Sequence, residues 1–82
     1  MRRNKSGICP KCRRWFKWMQ LHHIYPVRWF GKKGPTTLIC KDDHFRLEIA
    51  IEFEERNGDP KNPRRCLPRG MYFRILAMFL QR

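Results

Sequence analysis

The first forty-one residues contain no aspartate or glutamate. A surface made soluble simply by mixed charge would intersperse both signs there, so that explanation is excluded. No apolar run is long enough for a bilayer either. The most hydrophobic stretch, Met71 to Leu80, falls far short of the roughly 20 residues a spanning helix needs, and it carries Arg74 inside it. No secretory leader is expected either, because Arg2, Arg3 and Lys5 are followed by no apolar segment. Internal repeats and low-complexity tracts are absent. These absences lead to the expectation of a cytoplasmic protein without a membrane partner, in which a Cys-x-x-Cys pair serves metal or redox chemistry rather than a structural disulfide.

What is present is positive charge, and it is unevenly placed. The net charge is +12, with all seven acids lying between Asp42 and Asp59 and basic residues dominating both flanks. A field of that sign attracts polyanions, and nucleic acid is the expected partner ahead of an acidic membrane surface. Charge of this kind fits DNA and RNA alike. Arg13, Arg14, Lys17, Arg28, Lys32 and Lys33 are the candidate nucleic-acid contacts. The chain has 82 residues; that length makes one domain with a modest core, so a staple such as a bound metal or a second subunit is expected.

Along the chain, residues 1–8 read as a basic arm. Cys9-Pro10-Lys11-Cys12 reads as a tight turn that brings two sulfurs to one point. Residues 13–24 fit extended structure ended by Pro26, and the element order reads knuckle, strand, His22-His23 loop, strand, helix. Trp15, Trp18, Trp29 and Phe30 are expected inside, since so small a domain needs its aromatics for packing. Gly31, Gly34 and Pro35 punctuate a loop, and Thr36 to Ile39 reads as a second strand. A helix is expected over 43–56, capped by Asp42 and stopped at Asn57-Gly58. Its apolar residues form two stripes, Phe45/Ile49/Phe53 and Leu47/Ile51, so packing on more than one side is expected. A Pro- and Arg-rich loop leads to a second helix, Met71 to Leu80, apolar all round. Either it is sandwiched between the preceding element and the N-terminal tryptophans, or a second chain covers it in a symmetric homodimer. The expected organisation is therefore a basic arm over 1–8, a core over 9–58, and a basic loop with a C-terminal helix over 59–82.

Two separated runs, Leu21-His22-His23-Ile24-Tyr25-Pro26 and Leu38-Ile39-Cys40-Lys41-Asp42-Asp43-His44, follow the knuckle in an order that resembles the HNH endonuclease family. The resemblance covers roughly residues 9–48. It implies a small α+β fold with a ββα-metal (His-Me finger) element and an N-terminal zinc knuckle, to which the helix read over Met71 to Leu80 is an additional C-terminal helix. It also implies roles: His22 and His44 as ligands of a catalytic Mg²⁺ or Mn²⁺, and His23 as general base. Residue chemistry agrees, since a neutral imidazole binds a divalent ion and a His titrating near neutrality can take a proton from water. Glu48, one helical turn after His44, sits where several family members carry a further ligand. By this resemblance the chain is expected to be an endonuclease cutting DNA phosphodiester bonds with weak sequence specificity.

This chain departs from the family's pattern at two places. The middle Asn, which tethers the loop holding the base, falls at Pro35 beside Thr36 and Thr37, where a Thr hydroxyl is the available substitute. The second Cys-x-x-Cys reads Cys40-Lys41-Asp42-Asp43. Three alternatives stand: Cys9, Cys12, Cys40 and Asp43 close a structural zinc site, Cys66 replaces Asp43, or no zinc is held. Two other functions compete, a non-catalytic zinc-ribbon nucleic-acid-binding module and a phage-type inhibitor or adaptor. A ribbon has no use for His22, His23 and His44 in this order, and an adaptor predicts a large exposed apolar patch.

Overall fold

The computed structural model describes residues 5–81, so residues 1–4 of the expected arm and Arg82 lie outside the described residues. The elements run β1 (Lys5–Ile8), β2 (Trp15–His23), α1 (Val27–Phe30), β3 (Thr36–Ile39), α2 (Lys41–Glu55) and α3 (Arg69–Leu80). The chain is a small α+β domain with a three-stranded antiparallel sheet in the order β1-β2-β3. Among the described residues no helix is long and apolar enough to cross a membrane.

Residues 5–8 belong to the sheet rather than to an arm. They pair with β2 in the register Lys5 to Met19, Gly7 to Phe16 and Ile8 to Trp15. Between the first two pairs β2 advances three residues while β1 advances two. That mismatch is a β-bulge, which bends a strand and re-aims its side chains. β2 continues through His22 and His23, so the histidine pair ends a strand instead of occupying a loop. The strand stops where Pro26 starts the short helix α1.

α2 begins two residues earlier than the sequence suggests, with Cys40 in extended backbone as its N-cap and Asp42 and Asp43 in its first turn. Carboxylates there favour the positive end of the helix. Its buried residues are Asp43, Leu47, Ile51 and Glu55, a single stripe at four-residue spacing. The expectation that Phe45, Ile49 and Phe53 are also packed is overturned: Phe45 is 67% and Phe53 58% exposed. One sheet and α3 cover one side of α2, and a three-stranded sheet has no second layer for the opposite side.

α3 extends from Arg69 and buries Tyr72 and Leu76, leaving Phe73 and Met78 exposed. It is not sandwiched against the tryptophans, because Trp15 and Trp18 are themselves exposed. The apolar surface expected on α3 alone is thus shared with α2.

The lower end of the α2 stripe carries a buried charge that sequence reasoning missed. Glu55 is 0% exposed. Its Oε2 accepts from Tyr72 Oη at 2.7 Å and Trp29 Nε1 at 2.9 Å, and its Oε1 accepts from Arg64 Nε at 2.7 Å. Tyr72 Oη also accepts from the Leu67 backbone N–H at 2.9 Å. One carboxylate therefore joins α1, α2, the 59–68 loop and α3. Burial pushes its pKa up, but the donors of Tyr72, Trp29 and Arg64 outweigh that and hold it below the ordinary value.

Removing one partner of a buried, hydrogen-bonded charge cluster typically costs about 3–5 kcal/mol. Glu55→Ala is expected to lose stability on that scale in urea denaturation, and a loss no larger than that of an exposed-site control such as Glu54→Ala contradicts the network's importance. The pH dependence follows from the lowered pKa. The stabilisation is present above the unfolded-state value of about 4.3 and is lost as pH falls through the lower folded value. Glu55→Gln is expected to flatten that acid limb.

Candidate metal centres

Two clusters of ligand-type side chains meet at the N-terminal half of α2. The first contains Cys9, Cys12, Cys40 and Asp43, with one ligand atom from each lying within 4.8 Å of every other. The knuckle turn that supplies Cys9 and Cys12 is closed by Arg13 N–H to Cys9 O at 2.8 Å and Cys9 N–H to Arg14 O at 3.0 Å. Arg13 takes a positive φ of 63° to complete it. Cys40 and Asp43 come from the α2 N-cap and first turn.

The distances test whether a zinc ion fits. Ligands about 2.3 Å from a tetrahedral zinc stand about 3.8 Å from one another. Here Cys12 Sγ is 4.0 Å from Cys40 Sγ, and Asp43 Oδ2 is 3.3 Å from Cys40 Sγ and 3.4 Å from Cys9 Sγ. All four cysteines are free thiols. The group can hold a metal ion and is compatible with a structural zinc. Cys66, the rival fourth ligand, is exposed and turned to the Leu67 carbonyl at 3.4 Å, outside the cluster.

Electrostatics in the cluster favour bound cation. Burial, together with Asp43 and Cys9, pushes the Cys40 thiol up to about 12. Burial also raises the Cys9 thiol, but backbone amides of Cys12, Cys40 and Lys11 around its sulfur outweigh that and leave it lowered. Asp43 is pushed up by burial and more strongly down by the Cys40, Cys9 and Cys12 thiols and by Arg46, whose Nη1 donates to Oδ1 at 3.1 Å. A divalent ion allows the whole anionic set to ionise.

The second cluster contains His22, His44 and Glu48. His22, at the end of β2, is 2% exposed, and among the described residues neither of its ring nitrogens has a hydrogen-bond partner. Its Nδ1 lies 3.4 Å from Glu48 Oε2 without hydrogen-bond geometry. A buried imidazole with both nitrogens orphaned costs free energy unless a further group satisfies it. His44 Nε2 is also 3.4 Å from Glu48 Oε2. The His22 ring first, then the His44 ring, holds the half-exposed Glu48 carboxyl far below its ordinary range. A carboxylate and two imidazoles form a donor set suited to a divalent ion.

Gln20 orients the second cluster, and sequence reasoning missed it. His44 Nδ1 donates to Gln20 Oε1 at 2.7 Å, which leaves Nε2 free to bind an ion. Two-residue strand alternation from His22 was the available signal, since Gln20 must share its face. Outer partners of this kind are typically worth 10–100-fold in metal affinity. Gln20→Ala is therefore expected to weaken Mn²⁺ binding by about that factor in a calorimetric titration, while an unchanged affinity removes Gln20 from the site.

His23 stands apart from the ligand set. It lines a cleft of about 250 Å³ together with His22, His44 and Glu48. His44 and Glu48 also line a larger cleft, of about 570 Å³, together with Gln20, Lys41 and Asp42. Backbone pairing with β3 holds the His22–His23 segment in place. His23 pairs with Thr36 and His22 with Thr37 in the β2–β3 ladder, and Ile24 N–H donates to Pro35 O at 3.1 Å. Neither Thr36 nor Thr37 makes a side-chain hydrogen bond among the described residues.

The structure brings together His22, His44 and Glu48 in one group and Cys9, Cys12, Cys40 and Asp43 in another, and it leaves Cys66 out. The six candidate phosphate contacts, Arg13, Arg14, Lys17, Arg28, Lys32 and Lys33, are all exposed. Compared with protein-family models, curated proteins and solved structures, the chain matches none.

Proposed function

We propose that the chain is a metal-dependent phosphodiesterase of the HNH type that cuts DNA, with β2, β3 and α2 as its ββα-metal element. The observation that carries this reading is His22, buried with no hydrogen-bond partner for either ring nitrogen among the described residues, beside His44 Nε2 and the Glu48 carboxylate. Burying an imidazole without hydrogen bonds costs free energy, which a bound ion would offset.

In this reading His22, His44 and Glu48 hold Mg²⁺ or Mn²⁺. The bound ion supplies charge stabilisation to the scissile phosphate and the departing oxygen. Gln20 fixes the His44 tautomer, and the β2–β3 ladder fixes His23 at the cleft, where its imidazole takes a proton from the attacking water. The positive N-terminus of α2 favours a phosphate close by. Exposed Arg and Lys side chains contact the backbone, which positions DNA without reading its sequence. Cys9, Cys12, Cys40 and Asp43 hold structural zinc and anchor the start of α2.

The test is conversion of supercoiled plasmid to open circles by purified protein. Nicking is expected with Mg²⁺ or Mn²⁺ and none without added divalent ion. Intact plasmid under both metals, from folded zinc-loaded protein, rejects the phosphodiesterase.

A further inference from the structure

Trp15 and Trp18 are 63% and 62% exposed, and Ile8 of the paired strand is exposed with them. A domain of 82 residues forfeits much of its largest apolar side chains by leaving two of them in water. The strand geometry shows how this arises. Lys17 and Trp18 are both exposed in succession, which regular two-residue alternation does not produce. Both lie in the stretch of β2 where its register with β1 shifts, between the Lys5–Met19 and Gly7–Phe16 pairs, and such a bulge breaks the alternation.

The surroundings of these rings are positive. Lys17 Nζ lies 5.6 Å from the Trp18 ring centroid, and the Arg14 guanidinium 5.9 Å from that of Phe16. Arg13 and Arg14 are exposed at the entry to β2, and no acid precedes Asp42. Flat rings offered to solvent among lysines and arginines match a single strand of nucleic acid, whose phosphates meet the cations while its bases stack. In a continuous duplex the base faces are covered by their neighbours.

We propose that the bulged end of the β1–β2 hairpin is a stacking platform for unpaired bases, with Trp18 and Trp15 as the stacking residues and Arg14 and Lys17 as phosphate contacts. Four residues along the same strand lead from Trp18 to His22, about 13 Å at the usual rise. Resting on the phosphodiesterase reading, this makes the substrate a nucleic acid with a single-stranded segment a few nucleotides from the cut. The stacking itself does not depend on catalysis.

The experiment measures binding of a short oligothymidylate, a duplex of equal length and inorganic polyphosphate to the zinc-loaded protein without added Mg²⁺. Tryptophan fluorescence is the readout, with anisotropy of labelled DNA in parallel. Oligothymidylate is expected to quench the emission and polyphosphate is not. Trp18→Ala and Trp15→Ala, which remove exposed rings, are each expected to weaken oligothymidylate binding about tenfold or more and to leave polyphosphate binding unchanged. Equal weakening for polyphosphate, no weakening for oligothymidylate, or a preference for the duplex overturns the platform. Failure of oligothymidylate to bind at all also overturns it and points to a protein partner on this surface. A protein that binds in the expected way yet nicks no plasmid keeps the platform and loses the phosphodiesterase, so the two failures are distinguishable.

Discussion

His23→Ala is expected to lower the single-turnover rate of DNA cleavage by about 10²–10⁴-fold, the usual worth of a positioned general base, and to leave DNA affinity nearly unchanged. The separation follows from where His23 stands. It borders the same cleft as His22, His44 and Glu48 but is not one of the side chains that converge as ligands. Removing it therefore leaves both the metal set and the exposed cations in place. His44→Ala behaves differently, because it removes a ligand and the partner of Gln20 at once; its defect should appear as weaker Mn²⁺ binding that excess metal partly restores. A His23→Ala rate within about tenfold of the native rate is too small for general-base chemistry and shifts proton transfer elsewhere. Loss of DNA affinity in that variant instead assigns His23 to binding.

The second large effect concerns zinc. Purified protein is expected to carry one zinc per chain, and stripping it with a chelator is expected to unfold the domain. Structural zinc contributes about 10–16 kcal/mol in small zinc-binding peptides, as much as or more than the roughly 5–15 kcal/mol that separates folded from unfolded states in ordinary domains. The expectation follows from the cluster. Cys9, Cys40 and Asp43 are buried, and they join the knuckle to the first turn of α2. Without a cation the Cys40 thiol stays protonated beside Asp43, because burial and the neighbouring anions raise it. Asp43→Ala and Cys9→Ser are expected to lose zinc, whereas Cys66→Ser keeps it. Metal analysis that finds no zinc in folded protein removes the staple, and zinc loss in Cys66→Ser reverses the assignment of the fourth ligand.

Much of the candidate site was legible in the sequence, because its parts are local. Cys9 and Cys12 are fixed relative to each other by one turn, Cys40 and Asp43 by one helix start, and His44 and Glu48 by one helical turn. Strand β3 and the stop of α2 at Asn57-Gly58 were legible for the same reason, since β-branched residues and turn residues act within a few positions. The excess of positive charge needs no fold to be seen.

Tertiary structure decided what depends on partners distant in the chain. Pairing with β2 across a bulge made residues 5–8 a strand and left Trp15 and Trp18 in water, although composition placed them inside. Apolar residues surround α2, so periodicity could not choose its buried face; the single sheet and α3 chose Leu47 and Ile51 over Phe45, Ile49 and Phe53. Glu55 reads as one more solvated helix carboxylate until α1, the 59–68 loop and α3 bring Trp29, Arg64 and Tyr72 to it. Asp43 rather than Cys66 joined the cysteines because the α2 start lies against the knuckle, while Cys66 is held at the surface near Leu67. Local spacing determines which side chains can share a turn, but only the packed chain determines which faces are covered and which charges end up buried.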